Sequence, residues 1–116
     1  MSNTLFYHNP HCSKSKKALE IIKNNKINAK VILYLKDQLT KHMLLEILDL
    51  SGLTVRDIIR NNETVYKENN LNNLNLTQDE LLEFILKYPK LLQRPVLIHN
   101  DKAIIARPPE DILKII

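Results

Sequence analysis

The sequence predicts an α/β domain on a mixed sheet of about four strands, two parallel and then an antiparallel hairpin. Three observations carry that class. Leu5-Phe6-Tyr7, a helical pattern through Ala18, Ile21 and Ile22, and Val31-Ile32-Leu33-Tyr34-Leu35 are spaced as strand, helix, strand, which reads as a parallel βαβ unit. Val96-Leu97-Ile98-His99 and Lys102-Ala103-Ile104-Ile105-Ala106 flank Asn100-Asp101, a two-residue hairpin turn. Between these pairs, helical patterns fill an insertion over about residues 40–88.

Each element has a local reason. The first helix follows a loop punctuated by Pro10, with Ser13 expected as its cap. The uninterrupted apolar run Val31–Leu35 predicts a buried central strand. Thr40 caps a helix with Leu44, Ile47 and Leu48 on one stripe, stopped by Gly52, the chain's only glycine. Thr54 opens a short helix with Val55, Ile58 and Ile59 inward and Arg60 at its end. The Asn-rich stretch from Asn61 to Leu76 predicts an irregular connection with about one helical turn. Thr77-Gln78-Asp79-Glu80 is a capping-box pattern, opening a helix with Leu82, Ile85 and Leu86 on one face. Pro108-Pro109-Glu110 begins a final short helix with Ile112, Leu113 and Ile116 facing in.

Composition bounds the function. With 116 residues, 44% of them hydrophobic, the chain is expected to form one domain, residues 1–116, with a hydrophobic core. No run approaches a membrane span, the N-terminus lacks the shape of a signal peptide, and a lone cysteine points to the reducing cytoplasm. A net charge of +4 permits anionic partners. Nucleic acid is not expected, since the only basic cluster is Lys14–Lys17 and the few aromatics are not interleaved with arginines. No metal site, bound cofactor or membrane partner is expected, and the chain is expected to be a monomer.

The chemistry centres on Tyr7-His8-Asn9-Pro10-His11-Cys12-Ser13-Lys14-Ser15. Free cysteine is usually a small core hydrophobe. Here the basic and polar neighbours, and a place where a helix begins, favour a reactive thiolate. With Ser15 where a Cys-x-x-Cys pair would have its second thiol, any oxidised or adduct form of Cys12 needs an external thiol to release it.

The second feature is arginine. Of 17 basic residues only Arg56, Arg60, Arg94 and Arg107 are arginines. Hairpin register sets His99 opposite Lys102 and, continued, Arg94 opposite Arg107. Facing like charges destabilise unless something answers them, and an oxyanion held between two guanidiniums would do so. The competing account is that both splay into solvent. Pro95, after Arg94, opens the third strand, a place where proline is tolerated, and the Arg94–Pro95 bond is expected to be cis.

Two parallel strands, a hairpin and a cysteine at the first helix together look like a thioredoxin-type fold. Through Tyr7-His8-Asn9-Pro10-x-Cys12, Arg60, Arg94-Pro95 and Arg107-Pro108, the chain resembles the glutaredoxin-dependent arsenate reductase family over nearly its whole length. The resemblance implies that Cys12 is the nucleophile toward arsenate and that Arg60, Arg94 and Arg107 hold the oxyanion. It implies that His8, Asn9, Ser15 and Pro95 support the site, and that glutathione is co-substrate with glutaredoxin as partner. Ser13-Lys14-Ser15-Lys16 replaces the Gly-Thr-Ser of the best-known members and resembles a chromosomal, arsenate reductase-like branch. The phosphatase-type arsenate reductases are excluded, because Cys-x5-Arg would need arginine where Ala18 stands. Two alternatives share the fold: an Spx-like regulator that binds RNA polymerase, disfavoured by Ser15, and a redox-inactive binding module.

Overall fold

The computed structural model describes residues 4–116. Strands β1 (Leu5–Tyr7), β2 (Lys30–Ile32), β3 (Val96–His99) and β4 (Lys102–Ile105) form a sheet in the order β2-β1-β3-β4. β1 runs parallel to β2, pairing Leu5 with Lys30, and antiparallel to β3, pairing Tyr7 with Val96. The hairpin register is the expected one, from His99 opposite Lys102 to Val96 opposite Ile105. Asn100 and Asp101 both take positive φ, 51° and 62°, the conformation a two-residue turn of this hand requires.

Helices α1 (Ser13–Asn24), α2 (Lys41–Ser51), α3 (Val55–Ile58), α4 (Thr64–Glu68) and α5 (Gln78–Lys87) complete the fold, with 3-10 turns at Pro89–Leu91 and Pro109–Lys114. This is the thioredoxin-like arrangement, with the helical insertion between β2 and β3. Strand alternation divides the core by the two faces of the sheet. Phe6 and Leu97 pack with Ala18 and Ile22 of α1 and with Ile112, whereas Tyr7, Val96 and Ile98 pack with Leu44, Ile47, Ile58, Leu82 and Ile85 of the insertion. Gly52 ends α2 at φ 71°, where its amide closes the helix on the Leu48 carbonyl.

Three expectations are corrected. β2 is an edge strand, not a central one: Val31 is 40% exposed and only Ile32 and Tyr34 of the apolar run are buried. The run breaks at Leu33, whose carbonyl accepts from the Lys36 and Asp37 amides. Periodicity registers apolarity but not a strand's place in the sheet. Second, Ser13 is the first helical residue and Cys12 itself occupies the cap position of α1. Third, Leu113 is 53% exposed, because a 3-10 helix repeats every three residues and turns Ile112 and Ile115 inward instead.

The insertion reaches the sheet through two short contacts that matter for the site. The Arg60 amide donates to the Leu91 carbonyl and the Gln93 amide to the Ile58 carbonyl, with Ile59 bridged to Leu92. They tie the end of α3 to the chain entering β3, which sets Arg60 beside Arg94. Arg56 does other work: its guanidinium donates to the Leu71 and Asn73 carbonyls and to the Tyr66 hydroxyl, clasping the Asn-rich segment.

Candidate active site

The loop between β1 and α1 is built around one buried hydroxyl. Ser15 Oγ lies 2.6 Å from His8 Nδ1 and accepts from the Asn9 amide at 3.0 Å, so it joins the end of β1, the loop and the first turn of α1. Asn9 carries the turn onward, its Oδ1 accepting from the His11 amide at 2.9 Å and its carbonyl from the Cys12 amide at 3.0 Å. The His8 amide donates to the Ile32 carbonyl of β2 at 2.9 Å, anchoring the loop to the sheet. Burial, aided by the charges of Lys16 and Lys23, pushes the His8 pKa down, and its ring stacks on Phe6 with centroids 5.5 Å apart. His8 is therefore a neutral hydrogen-bonding support above its lowered pKa.

Cys12 is partly exposed and unpaired. Burial alone would raise its pKa. The Ser15 amide, the Arg94 guanidinium and the Lys14 amide outweigh that by stabilising the sulfur as an anion, and the net direction is down. The first turn of α1 contains no acidic residue to compete for this role.

Arg94 is the centre of the cationic side. Its guanidinium favours the Cys12 thiolate, its carbonyl accepts from Arg107 Nη1 at 3.0 Å, and its Nη1 lies 3.8 Å from Glu63 Oε2. The same Glu63 oxygen accepts from Arg60 Nε at 3.0 Å. Arg60 and Arg94 therefore converge on one carboxylate oxygen. Arg107 joins the group at the end of the same register. Beyond Val96 and Ile105 the Ala106 amide still donates to the Pro95 carbonyl at 2.9 Å, and Arg107 follows, with its side chain folded onto the Arg94 backbone. The Arg94–Pro95 bond is cis, as expected, and so is Arg107–Pro108.

The structure thus brings Arg60 and Arg94 to one carboxylate and Arg94 within electrostatic reach of Cys12, with Arg107 folded onto the Arg94 backbone and the Cys12 loop supported by His8, Asn9 and Ser15. Two further residues belong there. Glu63 had a signal, three residues after Arg60, but lay in a segment read as irregular connection. Tyr34 was hidden in an apolar run; burial pushes its pKa up to about 12 against the opposing influence of Arg94, and its hydroxyl has no partner among the described residues. Arg94 Nε is likewise buried and without a partner among those residues. Unfilled donors beside a thiolate-favouring sulfur suit an anion carrying several oxygens.

The ArsC family model matches residues 7–115. The arsenate reductase of Haemophilus influenzae is 41% identical over 98% of this chain and 99% of its own length. The uncharacterized protein YfgD of Escherichia coli (strain K12) is 39% identical, covering 95% of this chain and 93% of its own. The solved structure of an arsenate reductase from Vibrio cholerae superimposes with a TM-score of 0.94 at 37% identity, covering 98% of each chain. Site geometry, fold and full-length similarity converge: the chain belongs to the ArsC family.

Proposed function

We propose that this protein is a thiol-dependent arsenate reductase, with Cys12 as nucleophile and Arg60, Arg94 and Arg107 as the oxyanion site. The observation that carries the reading is that Arg94, whose guanidinium lowers the Cys12 pKa, meets Arg60 at a single oxygen of a carboxylate. A carboxylate oxygen there stands in for an oxygen of a tetrahedral oxyanion. His8, Asn9 and Ser15 act by fixing the loop that presents Cys12, and Pro95 by setting the approach of Arg94.

In this reading the Cys12 thiolate attacks arsenic(V), forming a sulfur–arsenic bond while one arsenate oxygen takes up protons and leaves as water. Three guanidiniums lower the cost of bringing a thiolate to an anion. Glutathione then supplies the second thiol. Its sulfur joins that of Cys12 as the sulfur–arsenic bond breaks, two electrons pass to arsenic, and arsenite leaves. The mixed disulfide on Cys12 has no internal resolving thiol, so a dithiol protein of the glutaredoxin kind restores it. Such a cycle suits the reducing cytoplasm.

The test is arsenite formation from arsenate with glutathione and glutaredoxin. Turnover by the wild-type protein and its loss in Cys12→Ser are expected. No arsenite from the folded wild-type protein would overturn the reading.

A further inference from the structure

Glu63 is a carboxylate in the middle of a proposed anion site. Its position is unusual in two ways. It stands at the cap of α4, where a short oxygen-bearing side chain would normally accept from the first turn. Glu63 makes no such bond. Its Oε2 instead accepts from Arg60 Nε at 3.0 Å and lies 3.8 Å from Arg94 Nη1. The side chains of Arg60, Arg94 and Glu63 are 11%, 18% and 21% exposed, so this contact is largely shielded from water and salt.

The consequence concerns which anions enter. With Cys12 as thiolate, the three arginines and Glu63 give a formal site charge of +1, that is, three positive and two negative groups. An oxyanion cannot take the Arg60 Nε donor while Glu63 Oε2 holds it, and it meets the Glu63 charge beside Arg94 Nη1. We infer that Glu63 is a specificity-determining residue: its carboxylate is an internal competitor that an incoming oxyanion must displace from Arg60 and Arg94. This rests on the oxyanion-site reading above. Glu63 holds the two guanidiniums together before substrate arrives, and it raises the affinity an anion needs to bind. The dianion sulfate meets more repulsion from this carboxylate than a partly protonated, phosphate-like oxyanion does, and an anion able to engage both arginines and the unpartnered Arg94 Nε and Tyr34 hydroxyl can replace it.

The test measures protection of Cys12 from alkylation, so it needs no turnover. Iodoacetamide modification of the wild-type protein, Glu63→Gln and Glu63→Asp is followed against rising phosphate or sulfate. These two oxyanions are not reduced by thiols, and ionic strength is held constant with potassium chloride. Glu63→Gln keeps the shape and removes the competing charge, so its half-protective concentration should fall by about ten-fold, the scale of one charged contact. Glu63→Asp keeps the charge but draws it back by one methylene, and should fall between the two. Sulfate should gain more than phosphate. Melting curves check that each variant is folded. A Glu63→Gln curve that superimposes on the wild type, or needs more anion, would overturn the inference and leave Glu63 as a support for Arg60 alone. Absence of protection in all three proteins would overturn it together with the oxyanion site. A failed turnover assay, by contrast, refutes arsenate reduction, while the protection curves still report whether Glu63 competes with an anion.

Discussion

Two helix beginnings in this molecule solve the same problem in opposite ways. α5 opens on Thr77, whose Oγ1 accepts from the Glu80 amide at 3.1 Å while Glu80 Oε1 accepts from the Thr77 amide at 3.0 Å. Asp79 and Glu80 add negative charge to its first turn. Orphan amides and the helix dipole are thereby satisfied from within, which is a contribution to stability. α1 opens on Cys12, with no side-chain oxygen accepting from its first turn and no acidic residue in it. The amides of Ser15 and Lys14 act on the sulfur instead. One beginning is closed with oxygen. The other keeps its field for a group that gains reactivity by becoming an anion, and Arg94 extends that field from another element.

The largest expected effect comes from removing that extension. Arg94→Ala removes the guanidinium that stabilises the Cys12 thiolate. It should lower kcat/KM for arsenate by roughly ten- to a hundred-fold, since one charged contact is worth about 1.5–3 kcal/mol. Lysine should restore only part of this, because a point charge cannot replace the planar fork that meets Cys12 and an oxyanion together. The pH profile of alkylation gives a second readout. In the wild-type protein the rate should climb through a midpoint below the free-thiol value of about 8.5 and then level off; Arg94→Ala should move that midpoint upward. The sign in stability follows. A thiol whose folded pKa is depressed adds stability above its unfolded pKa and loses it as pH falls through the folded one. Unchanged efficiency and an unmoved midpoint would mean that the α1 start acts on Cys12 without help from the arginine.

A second substitution asks whether the loop before α1 is merely attached or actively held. Ser15 is fully buried, and its hydroxyl serves both His8 Nδ1 and the Asn9 amide. Ser15→Ala leaves both groups buried without that partner. A loss of about 1–3 kcal/mol in unfolding free energy is expected, together with slower Cys12 alkylation at fixed pH as the loop loosens. Urea unfolding and alkylation rates on the same preparation measure both. A variant that loses stability but alkylates at the wild-type rate would show that the sulfur's setting depends on α1 and Arg94 and not on this hydroxyl.

How much of this was readable in the sequence divides along physical lines. Strands, the hairpin register and the capping box of α5 are set by near neighbours, and they stand where pattern and turn chemistry put them. Cys12, Arg94 and Arg107 could be singled out from residue type, helix start and hairpin register, whereas Arg60 entered only through the family resemblance. What the chain hid depends on partners distant in sequence. The edge position of β2 follows from which strand lies beyond β1. The separation of Arg56 from Arg60 follows from Arg56 clasping the Asn-rich segment. The identity of the cap was hidden for another reason. Ser13 is the stronger capping residue by preference, yet its hydroxyl is not used, because Ser15 and Asn9 draw the loop into a turn that leaves Cys12 at the cap. A polar network overrode a local propensity at the one place where chemistry needs it, as functional sites tend to do.

The smallest expected effect tests the other beginning. Thr77→Ala removes the oxygen that accepts from the Glu80 amide, and with it one half of the reciprocal pair. Loss of a cap of this kind costs about 0.5–2 kcal/mol. The figure should fall toward the lower end, because the bond is solvent-exposed and water can replace it. α5 carries Leu81, Leu82 and Ile85 into the core on the insertion side of the sheet, so the loss should appear as a lower urea midpoint with an unchanged slope. Cys12 alkylation should keep its rate and its pH midpoint, since the hydrogen bonds of Thr77 stay within the start of α5. If Thr77→Ala instead shifts the alkylation midpoint, the two helix beginnings are coupled through the insertion. The contrast between a cap that stabilises and a cap that activates would then have to be replaced by one network serving both.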